Sequence, residues 1–324
     1  MKAKFRKRLL LSLAFGALVF IGLTVFADAG KLAAAFGQFT WALFPVVLAC
    51  SSMNYLFRYL KWDYYTRVLE IRPSTSANVI IFFAAFLMAV TPGKLGEVLK
   101  SYLLKQVNGT PIARSAPIIL AERLTDFIGL TILILIGAWV FGQAQEVIVF
   151  FAVFFSSVTA LLAWRRGSMA VIRALERIPV IARHAHHAVE AYDSVHLLLR
   201  PKVLFNAVVL SVVSWFFECA GFWIILHEFH APPTLLKASF IYAFSTIVGA
   251  VTMLPGGLGT TEGSLTGLTM LAGASRDIAV ASTFLIRVAT LWFAVVVGIV
   301  VTLAFQHRLN VRIEDIDIDT VHAG

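Results

Sequence analysis

The chain is 324 residues long, 59% hydrophobic and only 14% charged, with a mean hydropathy of +0.85. Those values describe a polytopic integral membrane protein and exclude an ordinary soluble domain. The net charge of +9 calls for no nucleic-acid partner. Its Lys and Arg residues sit in short loops between apolar runs, where they hold those loops on the cytoplasmic side, whereas a nucleic-acid footprint is a basic face on a polar fold.

Met1 to Arg8 contains Lys2, Lys4, Arg6, Lys7 and Arg8, and Leu9 to Phe26 follows without a charge. This reads as a first span with its N-terminus inside. Ala27-Asp28-Ala29 resembles a small-residue cleavage site, so a cleaved signal peptide is the rival reading, but the apolar run is longer than a usual signal core. Gly30 to Thr40 is then an outside loop. Trp41 to Leu60 returns as a second span, and Arg58, Lys61, Arg67 and Arg72 flank it on the inside. Cys50, in this span, and Cys219 later both lie within apolar runs, and they read as small buried hydrophobes, neither a disulfide nor a metal pair.

The next apolar run, Val79 to Val90, ends abruptly in Thr91-Pro92-Gly93-Lys94-Leu95-Gly96-Glu97. From Ser76 to the break is about 16 residues, short of the roughly 20 that cross a bilayer. The sequel carries Lys94, Glu97, Lys100 and Lys105 and cannot be a span. A crossing here would also put Lys94, Lys100, Lys105 and Arg114 outside. It would flip every later loop, exposing Arg165, Arg166, Arg173, Arg177, Arg183, Arg200 and Lys202 on the wrong side. A re-entrant hairpin near 76–106, entering from the cytoplasm, removes both faults.

Ile118 to Phe141 and Val147 to Trp164 go out and back, and Arg165 to Lys202 lies inside. Within it Ile172, Leu175 and Ile178, then Val189, Tyr192, Val195 and Leu199, recur at helical spacing on either side of Pro179. The pattern predicts two amphipathic helices on the inner surface. His184, His186 and His187 have no Cys or acidic companion at ligand spacing, so no metal site is expected there. Val203 to Leu226 crosses again, carrying Glu218. Leu235 to Leu254 then breaks at Pro255-Gly256-Gly257-Leu258-Gly259-Thr260-Thr261-Glu262, a near echo of the first break. This second hairpin, near 235–273, enters from outside, and the last span within Ile278 to Phe305 brings Arg308 and Arg312 inside.

The echo extends past the breaks: Arg123 stands 31 positions after Pro92 and Arg287 32 after Pro255, each in an apolar helix. An ionisable residue inside a membrane helix is a functional candidate. The expected fold is all-α and polytopic, with about six full transmembrane helices plus two re-entrant hairpins arranged as an inverted repeat. It forms one membrane domain: 1–164 the first half, 165–202 a cytoplasmic connector, 203–307 the second half and 308–324 a cytoplasmic tail.

Each Pro-Gly break starts a short helix whose first N–H groups lack intrahelical partners and carry the positive end of the helix dipole, a cradle for phosphate. Gly93, Gly96, Gly256, Gly257 and Gly259 let a headgroup approach the backbone. Lys94, Arg123 and Arg287 add positive charge, Arg being the better partner for a forked phosphate contact. Glu97 and Glu262 have two readings that stay open: they complement their own helix dipoles and pair with a nearby Lys or Arg, or they titrate and couple proton movement to a conformational change. Glu122 and Asp126 bracket Arg123 at helical spacing and balance its charge, and Glu218 can hold a partner arginine. No nucleophile and base pair, metal cluster or nucleotide loop is visible, so neither catalysis nor a cofactor is expected.

Thr-Pro-Gly-Lys-Leu-Gly-Glu-Val-Leu-Lys-Ser-Tyr-Leu-Leu from Thr91, Ala-Glu-Arg-Leu-Thr-Asp from Ala121 and Pro-Gly-Gly-Leu-Gly-Thr-Thr-Glu-Gly from Pro255 resemble the lysylphosphatidylglycerol synthase transmembrane-region family, also described as flippase-like. The resemblance covers roughly Leu9 to Phe305. It implies a bacterial or archaeal inner-membrane protein that moves a membrane lipid between leaflets. In two-part relatives a separate soluble domain performs aminoacylation. This chain ends some 20 residues after its last span, so a separate lipid-modifying enzyme is the implied partner. Many relatives carry Arg in the first motif where this chain has Lys94 and Lys100. Two other functions share these features: a secondary transporter of a small anion, and a membrane-embedded enzyme acting on a lipid.

Overall fold

A computed structural model describes residues 3–90, 98–141, 149–150, 153–154, 157 and 185–305. The first break with Gly93, Lys94, Gly96 and Glu97, most of the span expected at Val147 to Trp164, the connector before residue 185 and the tail after Phe305 lie outside the described residues. Every regular element among the described residues is a helix, so the protein is an all-α polytopic membrane protein.

Helix α1 (Ala3–Ala27) bends by 93° at Asp28 into α2 (Ala29–Gln38). The expected outside loop over 30–40 is therefore mostly helix. Asp28 supplies the reason: its carboxylate accepts from the N–H groups of Gly30 (2.9 Å) and Lys31 (3.4 Å), capping the new helix. Leu32 and Ala35, one turn apart, then bury against the core. Helix α3 (Phe44–Val68) opens with Pro45 in its first turn, where the missing N–H costs nothing. It continues well past Leu60, the expected end of the span.

Helix α4 (Thr75–Ala84), capped by the Ser74 hydroxyl, tightens into a 3₁₀ segment at Ala85–Met88. After the first break come α5 (Val98–Asn108) and the 30-residue α6 (Ile112–Phe141). The chain continues with α7 (Ala185–Leu198), α8 (Pro201–Glu228) and α9 (Leu235–Val251). The second break then leads to α10 (Thr260–Leu271) and α11 (Arg276–Arg287), which runs through a π-helical turn, Val288–Trp292, into α12 (Phe293–Phe305). Helix α7 buries Tyr192 and Val195, with Leu199 just past its end, and packs on α6 beside Leu124, Phe127 and Ile128. The amphipathic face predicted there is thus used against a neighbouring helix.

Among the described residues three stretches are long and apolar enough to cross a membrane: Trp41–Val68, Pro201–Glu228 and Arg276–Phe305, with α1 and α2 a fourth if the bent pair is one span. The apolar stretches Thr75–Met88 and Leu235–Val251 are shorter, below the roughly 20 residues of a full crossing. Each packs on the long helix of the other half of the chain: α4 and its 3₁₀ extension on α12, and α9 on α6. Helices α3 and α8 pack together between them. Lipid offers no hydrophobic drive for helix association, so close backbone approach carries it. Glycines make that approach. A Cβ on Gly137 of α6 would lie 2.7 Å from the Phe240 Cβ, and one on Gly298 of α12 would collide with the Phe86–Leu87 backbone.

Candidate functional site

The second break is built to bring a carboxylate, an arginine and a carbonyl together. Gly256, Gly257 and Gly259 take φ of 59°, 66° and 85°, left-handed values that glycine alone adopts without penalty. Helix α10 then starts at Thr260 with Glu262 in its first turn, folding back so that its Oε2 accepts from the Gly259 N–H at 2.6 Å. The other oxygen, Oε1, accepts from Arg287 Nε at 2.6 Å, and Arg287 Nη2 donates to the Gly256 carbonyl at 2.7 Å. The Glu262 side chain is fully buried. A carboxylate of the chain itself therefore stands at the helix N-terminus where a phosphate was expected. Of the three glycines, Gly256 and Gly257 line the central cavity described below, whereas Gly259 faces Val19 and Phe15 of α1.

The first half repeats the construction with the charges exchanged. Here the short helix α5 supplies the cation, Lys100, and the long helix α6 the anion, Glu122; both are buried and paired. Lys100 Nζ also lies 4.4 Å from the Trp62 ring centroid. Glu122 thus pairs with Lys100. Asp126 lies 3.4 Å from Arg123 Nη2. Asp126 is held more closely by Lys61, at 2.5 Å, and accepts a hydrogen bond from the Ser211 hydroxyl at 3.2 Å. Helices α3, α6 and α8 are joined at this point.

Lys61 and Arg58, read from the sequence as flanking charges, lie within helix α3 and contact other helices. Lys61 is fully buried against Asp126, and Arg58 lies over the Trp215 ring at 5.7 Å. Glu218 is corrected too. Its Oε2 accepts from the Tyr242 hydroxyl at 2.6 Å, and it forms no ion pair with an arginine among the described residues.

These groups surround a cavity of about 200 Å³ between the hairpins. Arg58, Lys100, Arg123 and Arg287 line it with two carboxylates, Asp126 and Glu218. Phe82, Phe86 and Met88 of the first hairpin make an apolar wall, and Gly256, Gly257 and Thr261 of the second face it. The hairpins meet at its edge, where a Cβ on Gly256 would lie 3.6 Å from the Ala89 carbonyl oxygen. Tyr55 lines the cavity as well and donates to the Thr290 carbonyl at 2.7 Å, inside the π-turn that follows Arg287. Such turns recur at functional sites. Tyr55, Arg58, Lys61 or Trp62, and Tyr65 recur every three or four residues, a single helix face that was open to view in the sequence.

Residues 9–298 match the family described as the lysylphosphatidylglycerol synthase TM region. The chain belongs to this family. The chain is similar to three UPF0104 membrane proteins of Methanothermobacter thermautotrophicus. One is 22% identical over 308 residues, covering 88% of this chain and 90% of the relative. Another is 24% identical over 244 residues, covering 68% and 72%, and a third 22% identical over 280 residues, covering 78% and 80%. The lysylphosphatidylglycerol synthase TM region matched here takes in both hairpins and every charged residue of the cavity.

Proposed function

We propose that this chain moves a phosphate-bearing lipid between the leaflets of the cytoplasmic membrane. One observation carries the reading: four cationic side chains against two carboxylates line a largely apolar cavity between two short apolar helices. A phosphate cannot enter hydrocarbon without exchanging its water for fixed charges and donors, and acyl chains need no such provision. A cavity of about 200 Å³ falls below the roughly 300–1,000 Å³ of sites that enclose a whole drug-sized ligand. It suits a headgroup whose tails stay in lipid. On this reading the hairpins enter from opposite faces, both termini are cytoplasmic, and one half rocks against the other to expose the cavity to each leaflet in turn. The crossed packing of each hairpin on the other half's long helix supports that arrangement.

Purified protein in proteoliposomes is expected to move a fluorescent phosphatidylglycerol from the inner to the outer leaflet without taking up radiolabelled phosphate or sulfate. Uptake of the soluble anions with no lipid movement favours a small-anion carrier with the same cavity. Movement of neither overturns the proposal.

A further inference from the structure

We infer that Arg58, backed by Trp215, is the residue that receives the anionic oxygens of the headgroup, while the other cations around the cavity serve mainly to build it. The inference rests on the translocation reading above. Lys61, Lys100, Arg123 and Arg287 each stand within 4.0 Å of a carboxylate. Arg58 forms no ion pair among the described residues, although it lines the same cavity as Asp126 and Glu218. Asp126 and Glu218 attract it across the cavity without bonding to it, and an arginine inside an apolar span is a functional candidate. The chain holds Arg58 by placing its guanidinium over the Trp215 ring, a contact that restrains the side chain without neutralising it.

Trp215 supplies an independent sign. It lines the cavity, its side chain is buried, and its indole N–H is buried with no acceptor among the described residues. Buried donors ordinarily find a partner. A guanidinium with no ion pair and an indole N–H with no acceptor, both among the described residues, sit side by side on α3 and α8, two helices packed together. Their common need is an oxyanion with several acceptor oxygens. Phosphate fits, and the forked guanidinium matches it where an ammonium would not. Glu218, on the same cavity wall, accepts from the Tyr242 hydroxyl and attracts Arg58 only at a distance, so the guanidinium N–H groups are open to a ligand.

The test titrates the full-length, detergent-solubilised protein by native mass spectrometry with three probes. These are dioctanoyl phosphatidylglycerol, its deacylated headgroup glycerophosphoglycerol, and phosphate-free dioctanoylglycerol. Arg58→Gln breaks no ion pair and is expected to melt with wild type. It should bind the phospholipid about 10- to 150-fold more weakly, the loss of a charge-assisted contact, and leave dioctanoylglycerol binding unchanged. Trp215→Phe, which keeps the ring and loses the N–H, should show a smaller loss of the same selectivity. If Arg58→Gln does not purify folded, Arg58→Lys decides, because it keeps the charge and loses the fork; wild-type phospholipid affinity in it overturns the inference. Wild-type affinity in Arg58→Gln overturns the assignment while leaving translocation intact. If the wild-type protein binds the deacylated headgroup as tightly as the lipid, and Arg58→Gln loses both, Arg58 stands and the lipid reading falls. If wild type binds neither, both fall.

Discussion

Breaking the Glu262–Arg287 pair first on one side and then on both measures how much of this charged centre is structural. Arg287→Gln leaves a fully buried Glu262 carboxylate with the Gly259 N–H as its remaining described hydrogen bond, and it strips the Gly256 carbonyl of its donor. Removing one partner of a buried pair costs about 3–5 kcal/mol. The double change Glu262→Gln with Arg287→Gln buries no charge, and the new amide oxygen at 262 still accepts from Gly259. What then remains is the orphaned Gly256 carbonyl, about 1–3 kcal/mol. The double variant should therefore be more stable than Arg287→Gln by about 2 kcal/mol, the difference between those two costs. Thermal midpoints of the detergent-solubilised proteins, followed by fluorescence-detected size exclusion, give the ranking. An Arg287→Gln protein that melts with wild type, or a double variant that melts no higher than Arg287→Gln, refutes a structural pair.

Lys100→Met should lower the melting midpoint more than Lys61→Met, because it leaves Glu122 without its ion-pair partner, whereas Asp126 keeps Arg123 and the Ser211 hydroxyl; the first is expected to cost about 3–5 kcal/mol. Gly137→Ala drives a methyl into Phe240 and the Leu236 carbonyl and should cost about 1–3 kcal/mol. Gly22→Ala, with open space around it, should melt with wild type. Cysteines placed at the exposed Lys105 and Ser275 positions should react with impermeant maleimide from opposite faces of the membrane, Lys105 from the cytoplasm; labelling of both from one face contradicts the inverted repeat.

The all-α architecture and the places where apolar runs break were legible because both are local. Hydrophobic length sets the helices, and Pro255-Gly256 interrupts the second broken run. The arginines at 123 and 287 were legible too, since a charge inside an apolar run stands out. Their partners were not. Lys100 reads as a charged loop residue until α5 is seen beside α6, and Glu262 reads as a headgroup neighbour until its two oxygens are found on Gly259 and Arg287. Lys61 and Arg58 were read as a flank for a definite reason: charge counting treats a basic residue near the end of an apolar run as interfacial, and only the distant Asp126 and Trp215 reveal that Lys61 is buried and Arg58 packed on a ring. The helix at Ala29–Gln38 was missed because it buries few apolar side chains and begins at an Asp with φ of 71° that turns the chain sharply.

Blocking the cavity tests the central claim most directly. In a chain with Cys50 and Cys219, the two free cysteines, changed to Ala, a cysteine is placed at Ala250 on the cavity wall or at the exposed Leu271 and modified with a bulky maleimide before reconstitution. Fluorescent phosphatidylglycerol should stop crossing in proteoliposomes that carry the modified Ala250→Cys protein and continue crossing with modified Leu271→Cys. Undiminished crossing with the cavity blocked contradicts the account.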